Sequence, residues 1–424
     1  MAGAPRVTAD GQPESPGLVR RVVGFAGLPF LSLITPFLFL PLLARIAGAD
    51  SWLAIAVGQS AGAFAALVIS LGYNTVGPTL VARAAPADRP EVLRESLPGR
   101  LVLAAPATAL AMLVAVLVAP AGHGLEAALM AFALALSGLS ATWFMVGIGR
   151  VSHIVAYDLA PRIAATLAAA ALLVATGVVL WYPVLLIVAA LGGTLAYLVR
   201  TVGGRELRPR RGDTARMLRA NASAMAIELA GGAYNSLAVT FVGATAAVGQ
   251  AAAYVSGDKL YRMSQYAASA LGNATQGWVV DDGGSHFAAR ARRALLAHGI
   301  LGLLAFAAFA TAGPWLTGVL FGAQVAIDAP TALGFGVASF GIAMGTGLGR
   351  VVLVGLGARR DFLVCVLLGA AAGVPAILVL AALHGAAGGA WGLAIGELVS
   401  VTAQSIAVAR HWRRRASAEV GPRP

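Results

Sequence analysis

Six polar residues recur along one otherwise apolar stretch: Tyr254, Asp258, Arg262, Gln265, Ser269 and Gln276, with Lys259 beside them. Their steps of three, four or seven residues place them on or near one face of a helix. Cationic groups so placed offer charged hydrogen-bond donors to an anion, and a guanidinium matches phosphate with a forked pair of bonds. Two readings of the stripe are open. Asp258 and Arg262 close on each other at i, i+4 and tune packing, or the whole face lines a hydrated lumen that Lys259 and Arg262 leave net positive. The length of the stripe favours the lumen. The preceding apolar stretch carries Glu228, with Asn221 and Asn235 seven residues to either side. Glu228 either pairs with a base or couples to a cation during transport. Glu397, in the last apolar stretch, has the same two readings, as does Asp258. Arg45 ends the first apolar stretch, where it either snorkels to the surface or lines the lumen. Arg350 is read as a topological charge.

Other chemistries find no support. Cys365 is the single cysteine and lies in an apolar run, as a packing residue would. The six histidines show no metal-ligand spacing. No phosphate-binding loop appears. The sequence predicts no enzyme, cofactor or metal site, and the basic balance is not read as a nucleic-acid surface.

The elements that must carry these residues are membrane helices. The 424 residues are 59% hydrophobic and 11% charged, against about 25% charged in a soluble domain. Leu101–Ala119, Leu125–Ile148, Ile163–Trp181 and Phe362–Leu383 are each near the ~20 apolar residues that span hydrocarbon. Strand-like alternation is absent, so helices are the expected spanning element. The expected fold is an all-α integral membrane protein with about twelve spans. Their cores are 22–44, 52–73, 99–119, 125–148, 161–181, 183–200, 217–243, 249–275, 294–320, 330–356, 362–383 and 388–409.

The arginines orient these spans. With the N-terminus cytoplasmic, inside segments hold Arg20 and Arg21, Arg83 to Arg100, Arg150 and Arg162, Arg200 to Arg219, Arg290 to Arg293, Arg350 to Arg360, and Arg410 to Arg415. That asymmetry predicts an even count with both termini cytoplasmic, and it accounts for most of the +12 net charge. Trp52, Trp181, Trp315 and Trp391 fall at expected outer ends and Trp278 and Trp412 at inner ends, as an interfacial belt would. The expected organisation is a disordered cytoplasmic N-terminus (1–16), a six-helix bundle (17–203), a basic linker (204–216), a second six-helix bundle (217–412) and a disordered tail (413–424). The apolar stretch after residue 16 is too long for a cleavable signal. Pro29, Pro36 and Pro41 make the first span a candidate bending helix. Gly341, Gly345 and Gly349 permit close helix packing.

Several segments carry a family resemblance. They are Pro41-Leu42-Leu43-Ala44-Arg45-Ile46-Ala47-Gly48 leading to Trp52, Gly58-Gln59-Ser60, and Leu71-Gly72-Tyr73-Asn74 with Gly77-Pro78. In the second half they are Tyr254-Val255-Ser256-Gly257-Asp258-Lys259-Leu260-Tyr261-Arg262 and Leu356-Gly357-Ala358-Arg359-Arg360-Asp361-Phe362. The chain resembles the O-antigen and polysaccharide flippases of the multidrug/oligosaccharidyl-lipid/polysaccharide exporter superfamily. The resemblance implies two six-helix bundles forming a V-shaped central cavity. It implies alternating-access transfer of undecaprenyl-diphosphate-linked oligosaccharide to the outer leaflet of a bacterial plasma membrane, for O-antigen or exopolysaccharide synthesis. It makes Arg45, Lys259 and Arg262 the matching headgroup positions, with Tyr254 and Gln265 beside them. It also implies H⁺ or Na⁺ as coupling ion, with Glu228, Asp258 and Glu397 as candidates, and a polysaccharide polymerase and glycosyltransferases as partners. Related lipid II flippases usually have fourteen spans, and related drug exporters often carry a carboxylate in span 1, which this span lacks. The alternatives are a cation-coupled multidrug exporter and a non-transporting scaffold for polysaccharide enzymes.

Overall fold

The architecture follows from where an apolar chain can and cannot continue as helix. A computed structural model describes residues 18–203, 213–280 and 286–420, without the side chains of 18–38, 213–218, 414–420 and scattered positions from 220 to 233. Residues 1–16, most of the basic linker and residues 421–424 lie outside the described residues, as do the side chains of Pro29 and Pro36. Among the described residues there is no strand. The helices are α1 (Leu18–Ser70), α2 (Tyr73–Arg83), α3 (Arg89–Val118), α4 (Gly124–Ala135), α5 (Thr142–Gly147), α6 (Val151–Ile154), α7 (Ala160–Thr176), α8 (Trp181–Val202), α9 (Asp213–Thr245), α10 (Val248–Val280), α11 (Phe287–Phe321), α12 (Ala329–Gly345) and α13 (Arg359–Val420).

Interruptions fall where backbone chemistry demands them. α1 breaks at Gly48, at φ 78° and ψ 179°, a conformation open essentially to glycine alone. α13 breaks the same way at Gly385, at φ 58°. A 3₁₀ turn, Leu136–Leu139, joins α4 to α5. π-helical turns precede α7 (Val155–Leu159) and follow α12 (Thr346–Leu353). Pro120, Gly122, Gly177, Gly322 and Gly357 lie in the connections between helices. The C-terminal segment departs from expectation: α13 runs to Val420, so residues 413–420 are helical. Their Ala, Arg and Glu content sustains a helix already nucleated by the preceding span.

Among the described residues, eight helical segments are long and apolar enough to cross a membrane: Phe39–Arg83, Arg89–Val118, Gly124–Gly147, Val151–Thr176, Trp181–Val202, Phe287–Phe321, Ala329–Leu353 and Arg359–Arg413. The Gly48 and Gly385 breaks divide the first and the last of these. α10, of 33 residues, is not among them, because it carries Asp258, Lys259 and Arg262 between Gln250 and Gln265; much of α9 lies outside the described side chains. The outer surface is apolar: Leu110, Leu113 and Leu117 of α3, Leu303 and Leu304 of α11, and Val379 and Leu383 of α13 are exposed. Such a surface suits lipid rather than water.

α1 packs on α3, α4 and α7, while α9 to α13 pack among themselves. α1 also contacts α9, α10 and α11, so one apolar core runs from Leu43 and Trp52 to Tyr254, Phe335 and Leu393. Gly341 packs its backbone against Glu397 of α13, where an added Cβ would stand 2.6 Å from that side chain's Cβ. Gly349 faces Phe362 as closely, at 2.2 Å. These glycines serve close packing.

Two charged or aromatic residues expected at a surface are buried instead. Trp52 is fully buried, stacks on Phe321 with ring centroids 5.3 Å apart, and donates to Ser256 Oγ at 3.3 Å. It closes an interior contact, while Trp181, Trp315 and Trp391 remain exposed. Arg100 is 1% exposed. Its guanidinium donates to Gly138 O at 2.6 Å and Ser140 O at 2.7 Å. It thereby caps carbonyls that the 3₁₀ turn leaves without helical partners, and a cation suits that helix end.

Candidate functional site

Part of the polar stripe of α10, Asp258 and Arg262 with Lys259 beside them, lines a cavity of about 380 Å³. Its walls come from α1, α4 with its 3₁₀ turn, the π turn before α7, α7 itself, α8, α9 and α10. Apolar side chains such as Leu40, Met130, Leu186 and Val239 form much of the wall. The polar groups are few and face one another.

On the α10 wall, Arg262 Nε donates to Asp258 Oδ2 at 2.7 Å, and its Nη2 donates to the Asn235 carbonyl at 3.2 Å. Asp258 is buried, whereas a third of the Arg262 side chain remains accessible from the cavity. Lys259 Nζ donates to Gln59 Oε1 of α1 at 2.7 Å. Among the described residues no carboxylate lies within ion-pair distance of that ammonium. On the opposite wall, Arg162 Nη2 donates to Asp158 Oδ1 at 2.9 Å. Lys259, Arg262 and Arg162 thus share the cavity with two carboxylates, Asp258 and Asp158. One positive charge is left over, and it sits on Lys259, beside a neutral amide. In a cavity with apolar walls a charge acts at longer range than in water. Such an arrangement has the charge to attract an anionic group.

The two ends of the cavity are bridged between chain halves. In the cavity lining itself, Ser60 Oγ accepts from Thr240 Oγ1 at 2.7 Å and donates to the Ser236 carbonyl. Towards the Gly48 end lies the Trp52–Phe321 stack, and then Arg45, which is exposed and donates to the carbonyls of Val319 and Leu320. Gln324 answers by donating to the Ala44 carbonyl at 3.4 Å. Towards the Gly72 end, Glu228 accepts from Ser70 Oγ at 2.7 Å and from the Thr75 amide at 2.8 Å.

The expected site residues therefore separate. Lys259, Arg262 and Asp258 share the cavity. Arg45 does not line it, because its guanidinium is taken up by the carbonyl end of α11. Tyr254 is fully buried behind the lining, 5.0 Å from the Phe335 ring centroid, and its hydroxyl has no partner among the described residues. Gln265 turns away and donates to Asn235 Oδ1 at 3.0 Å. Glu228 bridges α9 to α1 and α2. Glu397 is buried in the second half, where the Tyr234 hydroxyl donates to it, as does that of Tyr261 at 3.0 Å. Arg350 donates to Asn273 Oδ1 at 2.6 Å, which holds α10 against the π turn. Among the described residues no three His, Cys, Asp or Glu side chains form a metal-binding group.

Sequence reasoning missed Gln59, Asp158, Arg162 and Tyr182 as cavity residues. A signal for one pair was present. Asp158–Arg162 repeats the Asp258–Arg262 spacing, but its position at a span boundary made Arg162 read as a topological charge.

The fold has solved counterparts. The chain superposes on a structure described as the lipid II flippase MurJ in an inward closed conformation, with a TM-score of 0.75 at 9% identity, covering 91% of this chain and 87% of that one. It superposes on an inward-facing multidrug resistance MATE family transporter of the MOP superfamily with a TM-score of 0.67 at 13% identity, covering 96% and 100%. A MATE structure in a bent conformation gives 0.57 at 15% identity, covering 95% and 96%. No protein-family model matches the chain, and no curated protein matches it in sequence. The chain shares the fold of these solved structures.

Proposed function

We propose that the protein moves a lipid-linked oligosaccharide, carried on undecaprenyl diphosphate, from the inner to the outer leaflet of a bacterial plasma membrane by alternating access. The observation that carries this reading is the surplus positive charge on Lys259, in a cavity walled by both halves of the chain. A diphosphate headgroup is drawn to that ammonium, while apolar walls shield it from the bilayer. An organic cation, the usual cargo of a drug exporter, meets repulsion at the same place. The likeness to a lipid II flippase agrees with this choice of cargo, and the MATE likeness agrees with the transport cycle.

In this reading twelve spans cross the membrane with both termini cytoplasmic, and the glycan serves surface polysaccharide synthesis beside its polymerase and glycosyltransferases. The Arg45–α11 and Ser60–Thr240 contacts open the path outward, and the Glu228 contacts open it inward. Glu397, buried between two tyrosine hydroxyls, is the candidate for H⁺ or Na⁺ coupling. It supports a second reading, a cation-coupled exporter, because such a site serves either cargo.

Proteoliposomes decide between the two. The purified protein should translocate a fluorescent polyprenyl-diphosphate-linked sugar and leave ethidium undisturbed. Uptake of ethidium without movement of the lipid would replace the flippase reading with the exporter.

A further inference from the structure

The cavity holds a second, masked cation, opposite the one just described. Arg162 enters from α7, one turn beyond the π-helical turn Val155–Leu159 that carries its partner Asp158. A π turn rotates the residues that follow it off the preceding helical face and is a frequent feature of functional sites. Here it leaves both side chains in the cavity lining. The pair is accessible, with 46% of the Arg162 side chain and 30% of the Asp158 side chain exposed. The Asp258–Arg262 pair differs, because its carboxylate is 3% exposed. An accessible ion pair contributes little to stability, so exchange of its carboxylate for another anion costs little. A buried one is expensive to open. Tyr182 of α8 and Gln59 of α1 line the same cavity. Gln59 in turn holds Lys259.

Resting on the flippase reading, we infer that the cavity has two anion seats, Lys259 on the second half and Arg162 on the first. A diphosphate fills both by displacing Asp158 from Arg162, so the headgroup ties the halves together. A monophosphate fills the Lys259 seat alone. Selectivity for diphosphate over monophosphate carriers therefore resides in Arg162. Asp158 acts as a gatekeeper that an anion entering the Arg162 seat must displace.

The test uses the full chain in nanodiscs, with a fluorescent polyprenyl diphosphate and the matching monophosphate as probes. Wild type should prefer the diphosphate by about tenfold, the worth of one charge-assisted hydrogen-bonded contact. Arg162→Gln should erase that preference while leaving monophosphate affinity intact, and Arg162→Lys should restore part of it. Asp158→Asn should tighten diphosphate binding severalfold, a gain that misfolding cannot produce. Inorganic pyrophosphate, as competitor, reports the headgroup chemistry without the chain, and Arg162→Gln should blunt its competition too. Lys259→Gln should weaken both lipid probes. If Lys259→Gln changes neither, the cavity is not a headgroup site and the underlying reading fails. If Lys259→Gln weakens both but Arg162→Gln preserves the diphosphate preference, or Asp158→Asn does not tighten binding, the second seat alone is overturned.

Discussion

The buried Glu397 carboxyl accepts two hydrogen bonds on its Oε1. Tyr234 and Tyr261 donate to it from α9 and α10, and each such bond is worth about 1 kcal/mol with a neutral carboxyl and about 1.5–3 kcal/mol with a charged one. Tyr234→Phe with Tyr261→Phe should therefore lower the melting temperature of the purified protein, and Glu397→Gln in the same background should recover part of the loss. Recovery is expected because the amide costs less to bury unpaired than the carboxylate. Arg100 makes the complementary case. Arg100→Leu frees the carbonyls of Gly138 and Ser140, at about 1–3 kcal/mol for each buried group left unpaired. Thermal denaturation in detergent should show a clear loss. Residue by residue, the sequence reveals which side chains are out of place in hydrocarbon, and Asp258, Lys259 and Arg262 were legible on that ground. It does not reveal what they meet. Arg45 was recognisable as a charge at a span end, but its acceptors lie some 275 residues away, at a helix terminus no local pattern specifies.

At the scale of the element, periodicity served well and boundaries served less well. The apolar runs from Leu101 and Phe362 fall almost wholly within one helix each, as intrasegment hydrogen bonding in lipid requires, whereas the run from Leu125 is interrupted by the 3₁₀ turn Leu136–Leu139 and the run from Ile163 outlasts its helix, which ends at Thr176. The π turns at Val155–Leu159 and Thr346–Leu353 have no sequence signature and were not legible, yet the first of them turns Asp158 and Arg162 inward. The break in α1 at Gly48 is a testable element-scale feature. Gly48→Ala forces a side chain into a region reserved for glycine, at a cost of about 1–3 kcal/mol. Space is not the obstacle, since nothing lies within 4 Å of an added Cβ. A melting point lower than wild type is expected, whereas an unchanged one would mean the break relaxes without strain.

For the whole molecule, the account depends on two halves that separate and rejoin around a cationic cavity. Ser60 and Thr240 hydrogen-bond across those halves at 2.7 Å. The double variant Ser60→Cys with Thr240→Cys should cross-link under oxidation, arrest transport, and recover on reduction, with Cys365 buried out of reach. The basic linker is a sequence cue for a division into halves, and which helices of each half face the cavity depends on packing that no single span encodes. The most direct test of the central claim is leaflet-resolved flipping of a polyprenyl-diphosphate-linked sugar in proteoliposomes, comparing wild type with Lys259→Arg, Lys259→Gln and Lys259→Glu. Rates should follow the charge at this position, retained in Lys259→Arg, reduced about tenfold in Lys259→Gln in keeping with one lost charged contact, and lost in Lys259→Glu. Equal rates in the wild type and the Lys259→Glu variant would contradict the account.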